Sequence, residues 1–255
     1  MRIRHGHRDG GLGTAVFALA IAVVLVPSVT SGCGSSQDAG LQPSGSGTAT
    51  QEKNPYGAIY PTTNQGTHAR TAATPGNVIK NYRFQGYPTD SGKAVDMSQG
   101  LKTVQLADYF DPDQKLLGDR GIKVIHLSVA AVWCDPCNAE TNDSVAAAAD
   151  LVPQGVVFLQ ALDDGPVEGR GATKDDLDGW ITSHKINFTE MLDPGLKNFG
   201  TFFDAAAVPW NANVDARSME ILEAGVGSPA EGIKENALRW VRWVDGNPPA
   251  YKPGT

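Results

Sequence analysis

Two cysteines three residues apart stand in the run Trp133-Cys134-Asp135-Pro136-Cys137, at the junction of two contrasting stretches. Before them, residues 122–132 (IKVIHLSVAAV) are β-branched and apolar almost throughout, the pattern of a strand buried on both faces. After them, residues 138–151 are Ala-rich and helical in pattern until Pro153-Gln154-Gly155 stops the run. A buried strand that feeds directly into a helix through a dithiol pair points to an α/β architecture.

Two thiols at this spacing at a helix start share one face and approach closely enough for a disulfide. The first sits where unpaired backbone N–H groups and the helix dipole favour an anion, so its pKa is expected below that of a free thiol. Pro136, one residue inside the helix, needs no backbone donor there and fixes φ for the turn. Asp135 places a negative charge beside the thiolate and opposes part of the helix effect. The pair therefore reads as catalytic: Cys134 attacks a target disulfide and Cys137 resolves the mixed disulfide. Half of a zinc site is the first alternative. It lacks a second CxxC or an H-x-x-x-H, and the five histidines (5, 7, 68, 126 and 184) are scattered, so no metal is expected. A purely structural disulfide is the second, but a bridge closing so short a loop stabilises little.

The third cysteine belongs to a different part of the chain. Arg2, Arg4 and Arg8 precede an apolar run at 15–26, which is shorter than the ~20 residues of a membrane-spanning helix but suits a signal peptide. Pro27 and the small residues 28–32 then lead to Cys33. This resembles the lipobox of bacterial lipoproteins, with Thr30 where that motif usually carries Leu, and implies a lipid on Cys33. A plain secretory signal with a free thiol is the alternative. Residues 1–32 are read as the signal peptide and 33–76, rich in Gly, Ser, Thr and Pro, as a flexible tether. Within the tether, Tyr56-Gly57-Ala58-Ile59-Tyr60-Pro61 is an apolar island able to dock on the domain. A net charge of −7 without a Lys/Arg run excludes a basic nucleic-acid binder.

Residues 77–247 carry the domain and 248–255 a tail. Strands are expected at 78–84, 122–132, 156–162 and 188–192, with a turn at 85–88 and a short helical turn at 106–110. Thr173-Lys174-Asp175-Asp176 starts a helix, residues 196–203 form a short one, and 210–214 with 219–224 form a hairpin across Asp215-Ala216-Arg217-Ser218. Ser228-Pro229 opens a last helix whose Ile233, Ala237, Trp240, Val241 and Val244 share a face. The alternation implies a central mixed sheet with helices on both faces.

W-C-x-P-C between a buried strand and a helix is the thioredoxin-fold signature, and residues 77–245 resemble the membrane-tethered thioredoxin-like oxidoreductases of the TlpA/ResA/redoxin group. The entry strand, the segment Leu106–Tyr109, the dithiol motif and a Val-Pro ahead of a hairpin occur in that group's order. The resemblance implies a thioredoxin-like fold, no cofactor, and a cis Pro209 facing the disulfide. Trp133 would then lie both in the core and on the rim of the active site. Val208 and Trp210 would border the substrate groove, although core packing is an equal reading for Trp210. Ser128 stands where many thioredoxins carry a buried acid, so deprotonating Cys137 would fall to water or another group. The implied activity is disulfide exchange with exported proteins, leaning toward reduction, with a membrane dithiol as electron donor and the protein lipid-anchored in a bacterial cell envelope, facing the periplasm or the exterior. A peroxiredoxin-type peroxidase usually wants Thr or Ser at the place of Ala131, and a copper-delivery module wants CxxxC with a distal His. A chaperone on the same scaffold is the third alternative.

Overall fold

A computed structural model describes residues 51–65, 73–202 and 207–249. The signal segment, Cys33, and all of the expected tail except 248 and 249 lie outside them. Seven strands form one mixed sheet: β1 (Arg83–Tyr87), β2 (Lys102–Gln105), β3 (Val124–Ala131), β4 (Val156–Asp164), β5 (Thr189–Leu192), β6 (Trp210–Asp215) and β7 (Glu220–Val226), in the order β2-β1-β5-β4-β3-β6-β7. The central strands β3, β4 and β5 are parallel, while β6 pairs antiparallel with β3 and β1 antiparallel with β5. Parallel neighbours need crossovers, and two of the three α-helices among the described residues supply them. These are α1 (Asp135–Leu151) between β3 and β4, and α2 (Lys174–His184) between β4 and β5; α3 (Ile233–Gly246) follows β7.

Every residue of β3 and β4 is buried, as their near-continuous apolar sequences require. The two faces are filled differently. Under the α-helices lie Val124, Phe158, Leu162 and Phe188 with Ala148, Leu151, Leu177, Trp180, Ala237 and Val241. The opposite face packs Ile125, Leu127, Val129, Leu159 and Met191 against Phe110, Phe199, Phe202 and the 3-10 turn Leu106–Tyr109. Helical turns thus cover both faces, with all three α-helices on one of them. Thr173 caps α2 by accepting from the Asp176 amide while the Asp176 carboxylate accepts from the Thr173 amide, the reciprocal box implied by its sequence.

Three expectations need correcting. The turn expected at 85–88 is instead the body of β1, which starts at Arg83, not at 78. Gly86 permits this: a Cβ there would meet the Glu190 carbonyl oxygen at 2.3 Å, so only glycine lets β1 lie against β5. Second, part of the segment read as a tether, within 52–61, packs on the domain. Tyr60 is buried edge-on to Phe110 and its hydroxyl donates to the Ile79 carbonyl, while the Asn54 amide donates to the Phe110 carbonyl. Third, the last helix begins at Ile233 after Gly232, not at Ser228-Pro229.

Candidate active site

The end of β3 delivers Trp133 and Cys134 to the first turn of α1. Cys134 is the N-cap residue, in extended conformation, and its Sγ accepts the Cys137 amide N–H at 3.2 Å. That is the backbone donor expected to favour a thiolate at this sulfur. Pro136 occupies the first turn of the helix, where its missing N–H costs nothing. The two sulfurs are joined in a disulfide with a Cα–Cα separation of 5.2 Å. Cys137 is fully buried and Cys134 keeps 3 % of its surface open, so Cys134 is the outer sulfur. Asp135 is exposed, which leaves its charge largely in solvent.

The second wall comes from the segment ahead of β6. The Val208–Pro209 peptide bond is cis, and the Val208 carbonyl oxygen lies 3.7 Å from Cys134 Sγ. A dithiol at a helix start after a buried parallel strand, faced by a cis proline that leads into an antiparallel strand, decides the architecture. The fold is thioredoxin-like.

No family model matches the chain, and no curated protein does. Solved structures do. A protein assigned as the thiol:disulfide interchange protein DsbE of Chlorobium tepidum is 19% identical, with a TM-score of 0.48 over 67% of this chain and 97% of its own. The thioredoxin domain of a thiol-disulfide oxidoreductase from Bacteroides vulgatus is 13% identical, with a TM-score of 0.48 over 66% of this chain and 98% of its own. A DsbF homologue from Corynebacterium diphtheriae is 16% identical, with a TM-score of 0.47 over 73% of this chain and 99% of its own.

Around the disulfide of this thioredoxin-like domain, Trp133 forms part of the rim. It is 38 % exposed, and its indole N–H donates to the Asp164 carboxylate at 3.1 Å. Asn138, directly after Cys137, donates its side-chain amide to the carbonyls of Val132 and Cys134 and so ties the two sides of Trp133 together. Val208 is half-buried between the two core clusters and its carbonyl faces the disulfide. Trp210 does not line a groove, which corrects one of the two readings of that residue. It is 3 % exposed and packs edge-on to Phe202 at 5.6 Å, on the face away from α1. Strand alternation explains this: Trp210 and Asn211 point to opposite sides of β6, and Asn211 is the one beneath α1.

Glu140 is the group that sequence reasoning missed. It follows Cys137 by three residues on α1, hence on the same face, and it is buried at 1 % exposure. Its Oε2 accepts from the Asn211 amide at 2.9 Å and from the Ser228 hydroxyl at 2.5 Å, while Oε1 has no partner. Burial pushes its pKa up, opposed by those two hydrogen bonds. The i, i+3 spacing from Cys137 was the available signal. Ser128, at the place of the expected acid, is itself buried and accepts from the Gln160 amide at 3.1 Å. Among the described residues, no group of three or more His, Cys, Asp or Glu is arranged to hold a metal ion, and no helix is long and apolar enough to cross a membrane.

Proposed function

We propose that the chain is a thiol–disulfide oxidoreductase that reduces disulfides of exported proteins while tethered to a membrane by a lipid on Cys33. The observation that carries the chemistry is the Cys134–Cys137 disulfide at the start of α1, with its outer sulfur against the carbonyl of a cis Val208–Pro209 unit. Reduced Cys134, with its sulfur anion favoured by the helix start, attacks one sulfur of a partner disulfide. The other partner sulfur leaves as a thiolate. The Cys137 thiol then gives up its proton and attacks Cys134 Sγ, closing the disulfide seen here and releasing the second partner thiolate. Two electrons pass to the partner, and a dithiol donor at the membrane restores the pair.

Glu140 takes the Cys137 proton in this scheme. Its buried carboxyl lies one turn along the same helix face, and its raised pKa moves it toward the range in which a carboxylate serves as a base near neutral pH. The lipid on Cys33 is supported by the apolar run and the small residues preceding that cysteine. Turnover of a small-molecule disulfide with a thiol reductant tests the reading. Cys134→Ser is expected to abolish exchange, and Cys137→Ser to stop it at a trapped mixed disulfide. Full activity in Cys134→Ser would overturn the mechanism, and a mature protein whose mass shows no lipid would overturn the anchor.

A further inference from the structure

Glu140 is buried, yet one of its hydrogen bonds ends at the surface. Ser228 is exposed, and its hydroxyl donates to Glu140 Oε2 at 2.5 Å. The other donor to that oxygen is the Asn211 amide at 2.9 Å. Both partners line one cavity of about 310 Å³, between the end of β7 and the start of α3. The backbone sets Ser228 in place from the dithiol side. The Gly227 N–H donates to the carbonyl of the cis Pro209 at 2.8 Å, and the Gly227 carbonyl accepts from the Asn211 amide at 3.2 Å. Gly227 has a φ of +82°, which glycine adopts without strain. The loop that aims the hydroxyl at Glu140 is thereby tied to the segment that faces the disulfide.

The two partners differ in what they can do with a proton. The amide nitrogen of Asn211 donates and keeps its own protons, whereas the Ser228 hydroxyl accepts and donates at once. The remaining carboxyl oxygen, Oε1, is buried and has no partner, so it is open to a proton arriving from within. A landing place on the inside and an exchangeable hydroxyl on the outside thus share one carboxyl group.

We propose that Ser228 is the proton relay between Glu140 and solvent, emptying the carboxyl that takes the Cys137 proton as the disulfide closes. This rests on the exchange reaction proposed above. As Cys137 attacks Cys134 Sγ, the bond between the two cysteines forms, the bond to the partner breaks, and the electron pair leaves on the partner sulfur. The thiol proton goes to Glu140 Oε1. A half-turn of the carboxyl about its terminal bond, a soft two-fold torsion, presents that O–H to Ser228 Oγ. Ser228 takes the proton while passing its own hydroxyl proton to solvent water, and Glu140 is a carboxylate again. Ser228 touches neither sulfur and acts through Glu140, as a positioning residue for the proton. The charged groups nearby are Asp143 on α1, Glu223 of β7 and Glu231 ahead of α3, both held by Arg239, and Lys234 of α3 paired with Asp150.

Single turnover of dithio-bis-nitrobenzoate by the reduced full chain tests this, with Cys33→Ala so that only the dithiol reports. The first thionitrobenzoate released marks attack by Cys134, and the second marks closure by Cys137. With the probe in large excess, Ser228→Ala should slow the second phase about tenfold, the first phase serving as internal control. The acid limb of that second phase should move to higher pH, because the lost hydrogen bond favoured the ionised Glu140. Ser228→Asn keeps a donor toward Glu140 but no relay, so closure should be as slow while the limb stays at the wild-type pH. Ser228→Thr restores the hydroxyl and should close at close to the wild-type rate. Wild-type closure in Ser228→Asn would mean that the side chain only holds the carboxylate, and would overturn the relay. So would a Ser228→Thr as slow as Ser228→Ala. Absence of a second phase in the chain with Ser228 intact would instead overturn the exchange reaction itself.

Discussion

Alternate residues of the same strands face two unlike interiors. On the side away from the α-helices, β3, β4, β5 and β6 present Leu127, Val129, Leu159, Ala161, Met191, Trp210 and Ala212, all apolar. One residue over, the same strands place Asn211, Ser128, Gln160 and Glu190 side by side beneath the α-helices, because Ser128 pairs in register with both Asn211 and Gln160, and Gln160 with Glu190. The first face shows that this backbone is content with apolar side chains throughout. The second carries groups that are costly to bury unless they are bonded. Gln160 is fully engaged, donating to Ser128 and Thr141 and accepting from the Trp180 indole at 2.9 Å. Asn211 holds Glu140. Glu190 holds nothing: both carboxylate oxygens are buried without a partner. The helix side thus adds a polar row to its apolar packing, one end of it holding Glu140 of the dithiol helix, while the other side is apolar at the neighbouring positions.

The strongest way to break that contrast is to cut into the apolar face. Phe199 is fully buried among Phe84, Tyr82 and Phe202, with ring centroids 4.9 Å, 5.5 Å and 6.2 Å away. Phe199→Ala should lower unfolding free energy by about 3–5 kcal/mol in chemical denaturation, through lost transfer energy and the cavity left behind. The reduction potential of Cys134–Cys137 should stay close to the wild-type value, because the Phe199 ring packs on the face away from α1, whose first turn carries the sulfurs. A displaced potential would show that the two faces are not separable.

The next effect is on the helix-side face and depends on pH. Burial raises the Glu190 carboxyl pKa well above its ordinary value. A native carboxyl that stays protonated binds a proton the unfolded chain has already lost, so its contribution is fully present below the unfolded pKa of about 4.3 and declines as pH rises above it. The loss is about 1.4 kcal/mol per pH unit while the native group stays neutral. Between pH 5 and pH 7, Glu190→Met should therefore gain on the wild type, at up to about 1.4 kcal/mol per pH unit for as long as the native carboxyl stays neutral, measured as the difference in unfolding free energy at the two pH values. Asp163, pushed up to about 6 by burial and by Asp164 and Asp193, adds the same sign to both proteins and cancels in the difference. Equal pH slopes would mean that Glu190 is solvated in solution.

These two variants also mark what the sequence made legible. The dithiol, its helix, the buried strands β3 and β4, the capped start of α2 and the β6–β7 hairpin each rest on neighbours a few residues apart, so local pattern was enough. Short-range pattern failed where a distant strand decides. Gly86 reads as a turn residue until β5 is known to lie against it, and Trp210 suits a groove as well as a core until β6 fixes its side. The polar row is hidden for the same reason: Asn211 and Glu140 are 71 residues apart in sequence, and Gln160 and Ser128 are 32 apart. Only register brings them together, and register is a property of the whole sheet.

The smallest effect is expected at the surface end of the polar face. Arg239 pairs with Glu223 at 2.8 Å and with Glu231 at 3.2 Å, and its guanidinium lies over the Trp240 ring at 4.7 Å. All three charged side chains are more than two-fifths exposed, so water competes for each of them. Glu223 also accepts from the Trp240 indole at 2.7 Å and from Asn236, and these hydrogen bonds together with Arg239 hold its pKa below the ordinary carboxylate value against the opposing effect of burial. Arg239→Gln should therefore cost no more than about 1 kcal/mol in unfolding free energy, and half-molar salt should shrink the difference further, since exposed pairs are screened. A cost as large as that of Phe199→Ala would mean that the carboxylates at the outer end of the polar face need Arg239 to stay ionised, and the division between the two faces would then fail at its rim.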